Sequence, residues 1–257
     1  MALGLGLRAK FAQLRREITY AAKNSLLRPR LFNLQTPERI GSIYREPSDM
    51  CLTDRIMLYA LVRGLRPQRA LEIGARWGGS ATIITNSMQE NGTGKLVGID
   101  PAPEAFRAPQ SALHGRYVLV TGYSPDAIPE AMKHLDDKLD FAFIDGLHTY
   151  DAVSKDLGGI IPFLEDGAHV LLHDTYHQGI DAAVREACST NTDLFDCGFL
   201  TREPTMWSPV SYQGLRLVRK GIVNSQRQIA EAYTRSKMPV PAWTSDHWNR
   251  DIYLDKI

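Results

Sequence analysis

Residues 69–174 hold five short apolar runs, at 69–74, 95–100, 117–121, 139–145 and 169–174, and this alternation with helical segments constrains the fold most. The intervening stretches 80–88, 124–134 and 150–163 place apolar residues three and four apart, the period of a helix with one buried face. Strands covered on both faces need no polar alternation, so such runs predict parallel strands in a sheet flanked by helices. A further helix is expected over 53–62 and another over 179–187. Two last strands, 195–199 and 215–220, stand close enough in sequence to pair as an antiparallel edge hairpin. The expected architecture is α/β, a doubly wound, mostly parallel seven-stranded sheet.

The chain divides into a basic helical arm (1–50), a main domain (51–222) and an aromatic tail or lid (223–257). Arg8, Lys10, Arg15, Arg16, Lys23, Arg28 and Arg30 are opposed only by Glu17 before position 35, which suits an arm packed on a partner subunit, or a membrane-surface helix. Over the whole chain the net charge is +1, so nothing points to nucleic acid. A small-molecule or oligosaccharide substrate, and a homo-oligomer, fit better. Cys51, Cys188 and Cys197 show no CxxC spacing, which argues against a disulfide framework or structural zinc and makes cytoplasm the expected compartment. No run approaches the roughly 20 apolar residues of a transmembrane segment.

Chemistry concentrates where strands end, because ligands of open parallel sheets bind beyond the carboxyl ends near the switch point of strand order. At 71–80 the chain reads LEIGARWGGS, with Gly74, Gly78 and Gly79 in a tight strand-to-helix turn. Ala75 stands where a dinucleotide fingerprint has its second glycine, which disfavours a pyrophosphate ligand. Glu72, inside an apolar strand, is costly to bury without a cationic or donor partner. S-adenosylmethionine (SAM), which carries a sulfonium and an amino group but no phosphate, accounts for both features. Asp100 closes the second run and can accept from both ribose hydroxyls.

LEIGARWGGSAT resembles the first motif of Rossmann-like SAM-dependent methyltransferases. The resemblance implies that Gly74 and Gly78 line the methionine part, that Ser80 hydrogen-bonds its carboxylate, and that Gly122, Tyr123 and Ser124 lie near the adenine. Ser124 before Pro125 also reads as a helix N-cap. The later motifs DFAFIDGLHTYDAV and HVLLHDTYHQG resemble those of the macrocin, mycinose-pathway and rhamnosyl O-methyltransferases and the cephalosporin-hydroxylase-like proteins. That branch implies sugar O-methylation, with the mycobacterial methylmannose polysaccharide pathway as one setting.

Asp145 and His148 follow the fourth run, and His173, Asp174 and His177 the fifth, so carboxylates and imidazoles converge where the SAM methyl should project. A sugar hydroxyl is barely nucleophilic at neutral pH; a base near pKa 7 or a hard divalent cation lowers that barrier. Asp145 and Asp174, with His173, are the expected ligands for Mg²⁺, and His148 the expected base. Macrocin-like enzymes carry two successive carboxylates at the fifth strand, whereas here Thr175 follows Asp174. Ordinary roles compete: Asp145 could cap the helix near Tyr150, and His173 could be a satisfied core histidine. Trp207, Tyr212, Trp243, His247 and Trp248 could face a sugar or a subunit. Other expectations are a phenolic or polyketide acceptor, a nicotinamide-dependent oxidoreductase, and a silent SAM-binding scaffold.

Overall fold

A computed structural model describes residues 43, 48–205 and 208–221. The expected N-terminal arm and aromatic tail, and with them Trp207, Trp243, His247 and Trp248, lie outside the described residues, as does the side chain of Tyr212.

The described chain runs α1 (Leu52–Leu65), β1 (Arg69–Ile73), α2 (Gly79–Asn91), β2 (Lys95–Asp100), β3 (Tyr117–Thr121), α3 (Ile128–Lys133), β4 (Leu139–Ile144), α4 (Tyr150–Ile160), β5 (Leu164–Leu172), α5 (Gln178–Thr190), β6 (Leu194–Phe199), β7 (Glu203–Thr205), β8 (Ser208–Gln213) and β9 (Arg216–Lys220). Seven strands form one sheet in the order β3-β2-β1-β4-β5-β9-β6. The first five are parallel, and β9 is antiparallel to both β5 and β6. The expected Rossmann-like sheet with its antiparallel edge is therefore the observed fold.

Successive residues of the central strands enter opposite layers. Ala70, Phe141 and Phe143 pack with Leu58, Val62, Ile84 and Met88 of α1 and α2. Leu71, Ile73, Ala142 and Ile144 pack with Ile128, Val153, Leu157, Ile180 and Val184 on the other face. Both layers are apolar, so an uninterrupted hydrophobic run is the sequence form of these strands.

Three boundaries differ from expectation. β5 begins at Leu164 rather than 169, because Glu165, Asp166 and Gly167, polar enough to read as a turn, are carried into the strand through a register shift. The helix expected over 124–134 is only α3, so Ser124 does not cap it; residues 124–127 form the turn that precedes it. β6 and β9 do pair antiparallel, yet β9 rather than β6 lies against β5. β9 carries the buried Val218, while β6 is exposed over most of its length, so burial selects β9 for the interior position. Between them lies a small β7–β8 hairpin that the sequence pattern does not announce.

Candidate active site

The two strand-order halves separate at β1, and hydrogen bonds of the sheet continue one residue past each strand there. Gly74 N donates to Ile99 O at 3.0 Å, Asp145 N to Ile73 O at 2.9 Å, His173 N to Ile144 O at 3.0 Å, and Gly122 N to Asp100 O at 3.1 Å. These bonds set four turns side by side. Gly74, at φ 93°, has no room for a side chain: a Cβ would lie 2.3 Å from the carbonyl oxygen of Asp145. Gly78, at φ 85°, precedes α2, and a Cβ there would stand 2.7 Å from both the Phe106 ring and Ala108.

Asp100 organises the same turn. Its Oδ2 accepts from Arg76 N at 2.7 Å and its Oδ1 from Ala102 N at 2.8 Å. Arg76 adopts φ 39°, stacks its guanidinium 4.3 Å above the Trp77 ring centroid and pairs with Asp49. Glu72 is completely buried, and neither of its carboxylate oxygens meets a donor at hydrogen-bond geometry among the described residues. Burial raises its pKa to about 8; the nearby Ser80 hydroxyl lowers it, and the charges of Asp145 and Asp100 raise it further. A buried acid with unmatched oxygens, beside a glycine turn too tight for any Cβ, fits a ligand that brings its own cationic or N–H groups, as SAM does.

Ser80 follows Gly79, the first residue of α2, and acts on Glu72 rather than standing free. Of the three residues expected near the adenine, Tyr123 is 73% exposed at the end of β3, whereas Gly122 is half-buried against Ala127 and Ser124 is half-buried near Asp156.

The chemical cluster is tighter. Asp145, His148, His173 and Asp174 each present one ligand atom, and the four atoms lie within 4.8 Å of one another. His148 Nδ1 lies 3.0 Å from Asp174 Oδ2, and its Nε2 3.3 Å from Asp145 Oδ1. His173 Nδ1 lies 3.0 Å from Asp145 Oδ1 and 3.6 Å from Asp174 Oδ2. Asp174 sits in the left-handed region at φ 53°, an unfavourable conformation for a residue with a Cβ and one that gathers at functional turns.

Charges within the cluster reinforce one another. Burial works against ionisation of Asp145, but the charges and hydrogen bonds of His173 and His148 outweigh it and hold the acid well below the usual range. For His148, burial favours the neutral ring, while the Asp145 hydrogen bond and the charges of Asp145 and Asp174 raise its pKa above the ordinary histidine value. The helix at Tyr150 is capped by Thr149, whose hydroxyl accepts from Ala152 N at 3.3 Å, leaving Asp145 to the cluster.

Two carboxylates and two imidazoles at this spacing, with Asp174 Oδ1 buried and lacking a hydrogen-bond partner, fit a divalent cation. Thr175, which stands where macrocin-like enzymes have a second acid, adds nothing: its hydroxyl donates to Gly214 O at 3.0 Å. The other candidate ligand atoms of the cluster are the ring nitrogens of His148 and His173. His177, read with this group in the sequence, is exposed and outside it, its ring centroid 5.8 Å from that of His148.

A residue that sequence reasoning missed is Asp54 of α1, fully buried, with Oδ2 3.1 Å from His173 Nε2. Its signal was present: Asp54, Leu58 and Val62 are four apart and form the buried stripe of α1, so an acid stands where an apolar residue belongs.

Residues 71–175 match the family described as a methyltransferase domain. No curated protein matches the chain significantly. Among solved structures, an O-methyltransferase from Bacillus cereus in complex with SAH is similar at TM-score 0.58 and 15% identity, over 74% of this chain and 93% of that one. The O-methyltransferase TomG from Streptomyces achromogenes, involved in tomaymycin synthesis and in complex with SAM, gives 0.57 and 17% over the same shares. The methyltransferase PaMTH1 from Podospora anserina, bound to SAH, gives 0.51 and 16%, over 72% of this chain and 87% of that one. No helix among the described residues is long and apolar enough to cross a membrane. Residues 71–175 thus match the methyltransferase-domain family, and the described chain shares the fold of these solved O-methyltransferases.

Proposed function

We propose that the protein transfers the methyl group of SAM to a hydroxyl of a sugar or glycan, with a divalent cation at Asp145, Asp174 and His173 and with His148 as base. The observation that carries the reading is the convergence of the glycine turn and the acid–histidine cluster, whose backbones touch at Gly74 and Asp145.

When bound, SAM supplies an electrophilic methyl, and a divalent cation supplies positive charge that favours a deprotonated acceptor oxygen. The chain supplies the rest. Gly74 and Gly78 let the methionine part approach the backbone, Glu72 offers an unmatched buried carboxylate to its cationic portion, and Asp100 offers its remaining lone pairs to the ribose. His148 is oriented by both carboxylates, with Nδ1 3.0 Å from Asp174 Oδ2 and Nε2 hydrogen-bonded to Asp145 Oδ1 at 3.3 Å, and its ring is the group that would take the acceptor's proton. Its raised pKa is set by the same carboxylates that orient it.

The sugar acceptor rests on the likeness of DFAFIDGLHTYDAV and HVLLHDTYHQG to sugar O-methyltransferase motifs. A second reading, a phenolic or polyketide acceptor, draws on Leu147, 67% exposed beside His148, which offers apolar surface near the cluster. Transfer from labelled SAM across sugar and phenolic acceptors, with and without chelator, decides between them. The proposal expects chelator-sensitive transfer to a sugar; transfer only to phenols would move the acceptor class, and undiminished transfer in chelator would remove the cation.

A further inference from the structure

His173 touches carboxylates through both ring nitrogens, but the two contacts differ in kind. Nδ1 opens toward Asp145 and Asp174, within the cluster, while Nε2 points the other way, to Asp54. Asp54 belongs to α1, which precedes the methyltransferase-domain match, and has no exposed surface. Its other oxygen, Oδ1, accepts the hydroxyl hydrogen of Thr201, and Thr201 Oγ1 in turn accepts from Leu215 N at 2.7 Å. The backbone N–H fixes the direction of this chain, because an oxygen that accepts from Leu215 has its own hydrogen free for Asp54. Asp54 then accepts twice, and the hydrogen between it and His173 resides on Nε2.

That placement decides which nitrogen can bind. With Nε2–H committed to Asp54, Nδ1 faces two carboxylate oxygens, and what satisfies them there must be positive: a second ring hydrogen, which makes the ring an imidazolium, or a cation that takes its place on the Nδ1 lone pair. Carboxylate partners behind metal-bound histidines serve this purpose generally, fixing ring orientation and tautomer.

We infer that Asp54, itself held by Thr201, is a positioning residue that turns the Nδ1 lone pair of His173 into the Asp145–Asp174 gap and so creates a divalent-cation ligand from outside the segment that matches the methyltransferase family. The inference rests on the divalent-cation reading above and deepens it. The source of the orienting charge is the pairing of α1 with the loop before β7, two segments 147 residues apart.

The test uses the full-length protein and Mn²⁺ as probe, with uptake followed by calorimetry and by loss of the free-ion paramagnetic resonance signal, and SAM affinity measured in parallel. Asp54→Asn keeps the shape of the side chain and is expected to weaken Mn²⁺ binding by about 10–100-fold, the usual effect of removing such a partner, with SAM affinity within about threefold of wild type, because the partners of Asp54, His173 and Thr201, do not belong to the glycine turn. Thr201→Val is expected to weaken Mn²⁺ in the same direction, and Thr201→Ser to restore it. Wild-type Mn²⁺ affinity in Asp54→Asn, or an equal loss of SAM and Mn²⁺ affinity, overturns the positioning role while leaving the cation reading in place. A wild-type protein that takes up no Mn²⁺ overturns both.

Discussion

Gly74 and Asp145 are packed backbone against backbone: a Cβ on the glycine would lie 2.3 Å from the aspartate carbonyl oxygen and 2.7 Å from its carbonyl carbon. One turn belongs to the expected cofactor side and the other to the acid–histidine cluster, so neither can shift without the other. Gly74→Ala combines this clash with φ 93°, a conformation that costs a residue with a Cβ about 1–2 kcal/mol. The variant should lower the melting temperature by several degrees and weaken SAM binding by tenfold or more, as read by calorimetry. An unaltered protein would mean that the two turns are independent.

Glu72 gives the protein an alkaline weakness. Its folded pKa, about 8, lies above the ordinary glutamate value of 4.5, so between those limits the folded state holds a proton that the unfolded chain has released. Stability from this group is greatest below about 4.5 and is lost as pH rises toward 8. Ligand-free protein should therefore melt at lower temperature at pH 8 than at pH 5.5, conditions chosen to fall about that window. Glu72→Gln, uncharged throughout, should flatten that dependence; a slope identical to wild type would place the effect elsewhere.

His148 should govern the pH dependence of turnover. As a base whose pKa is raised by Asp145 and Asp174, it makes activity climb with pH through a midpoint above the ordinary histidine value. His148→Ala should reduce kcat by about 10²–10⁴-fold and abolish that limb, with SAM affinity preserved. Retention of the limb in the variant would assign the base to another group.

The sheet was legible because its strands are buried on both faces. Arg69–Ile73, Lys95–Asp100, Tyr117–Thr121 and Leu139–Ile144 announce themselves as apolar runs ending at Gly74, Asp100, Thr121 and Asp145. Edge structure was harder to read: β6 is mostly exposed and β7 is three residues long, so neither carries a strong pattern. Within the site, Asp145, His148, His173 and Asp174 could be grouped because parallel strands must end on one side of the sheet. Asp54 and Thr201 could not, since the contacts of Asp54 with His173 and with Thr201 depend on how α1 and the β6–β7 connection pack, over separations of 119 and 147 residues. The exclusion of His177 has a similar origin: it precedes the first turn of α5, and only the path of the chain after the left-handed Asp174 turns it outward.

Asp145→Ala tests the account most directly, assayed for methyl transfer from labelled SAM and, separately, for SAM affinity. The account predicts that turnover falls below detection while the SAM dissociation constant stays within about threefold of wild type, because binding belongs to the glycine turn and chemistry to the cluster. Transfer at the wild-type rate, with SAM bound normally, would contradict it.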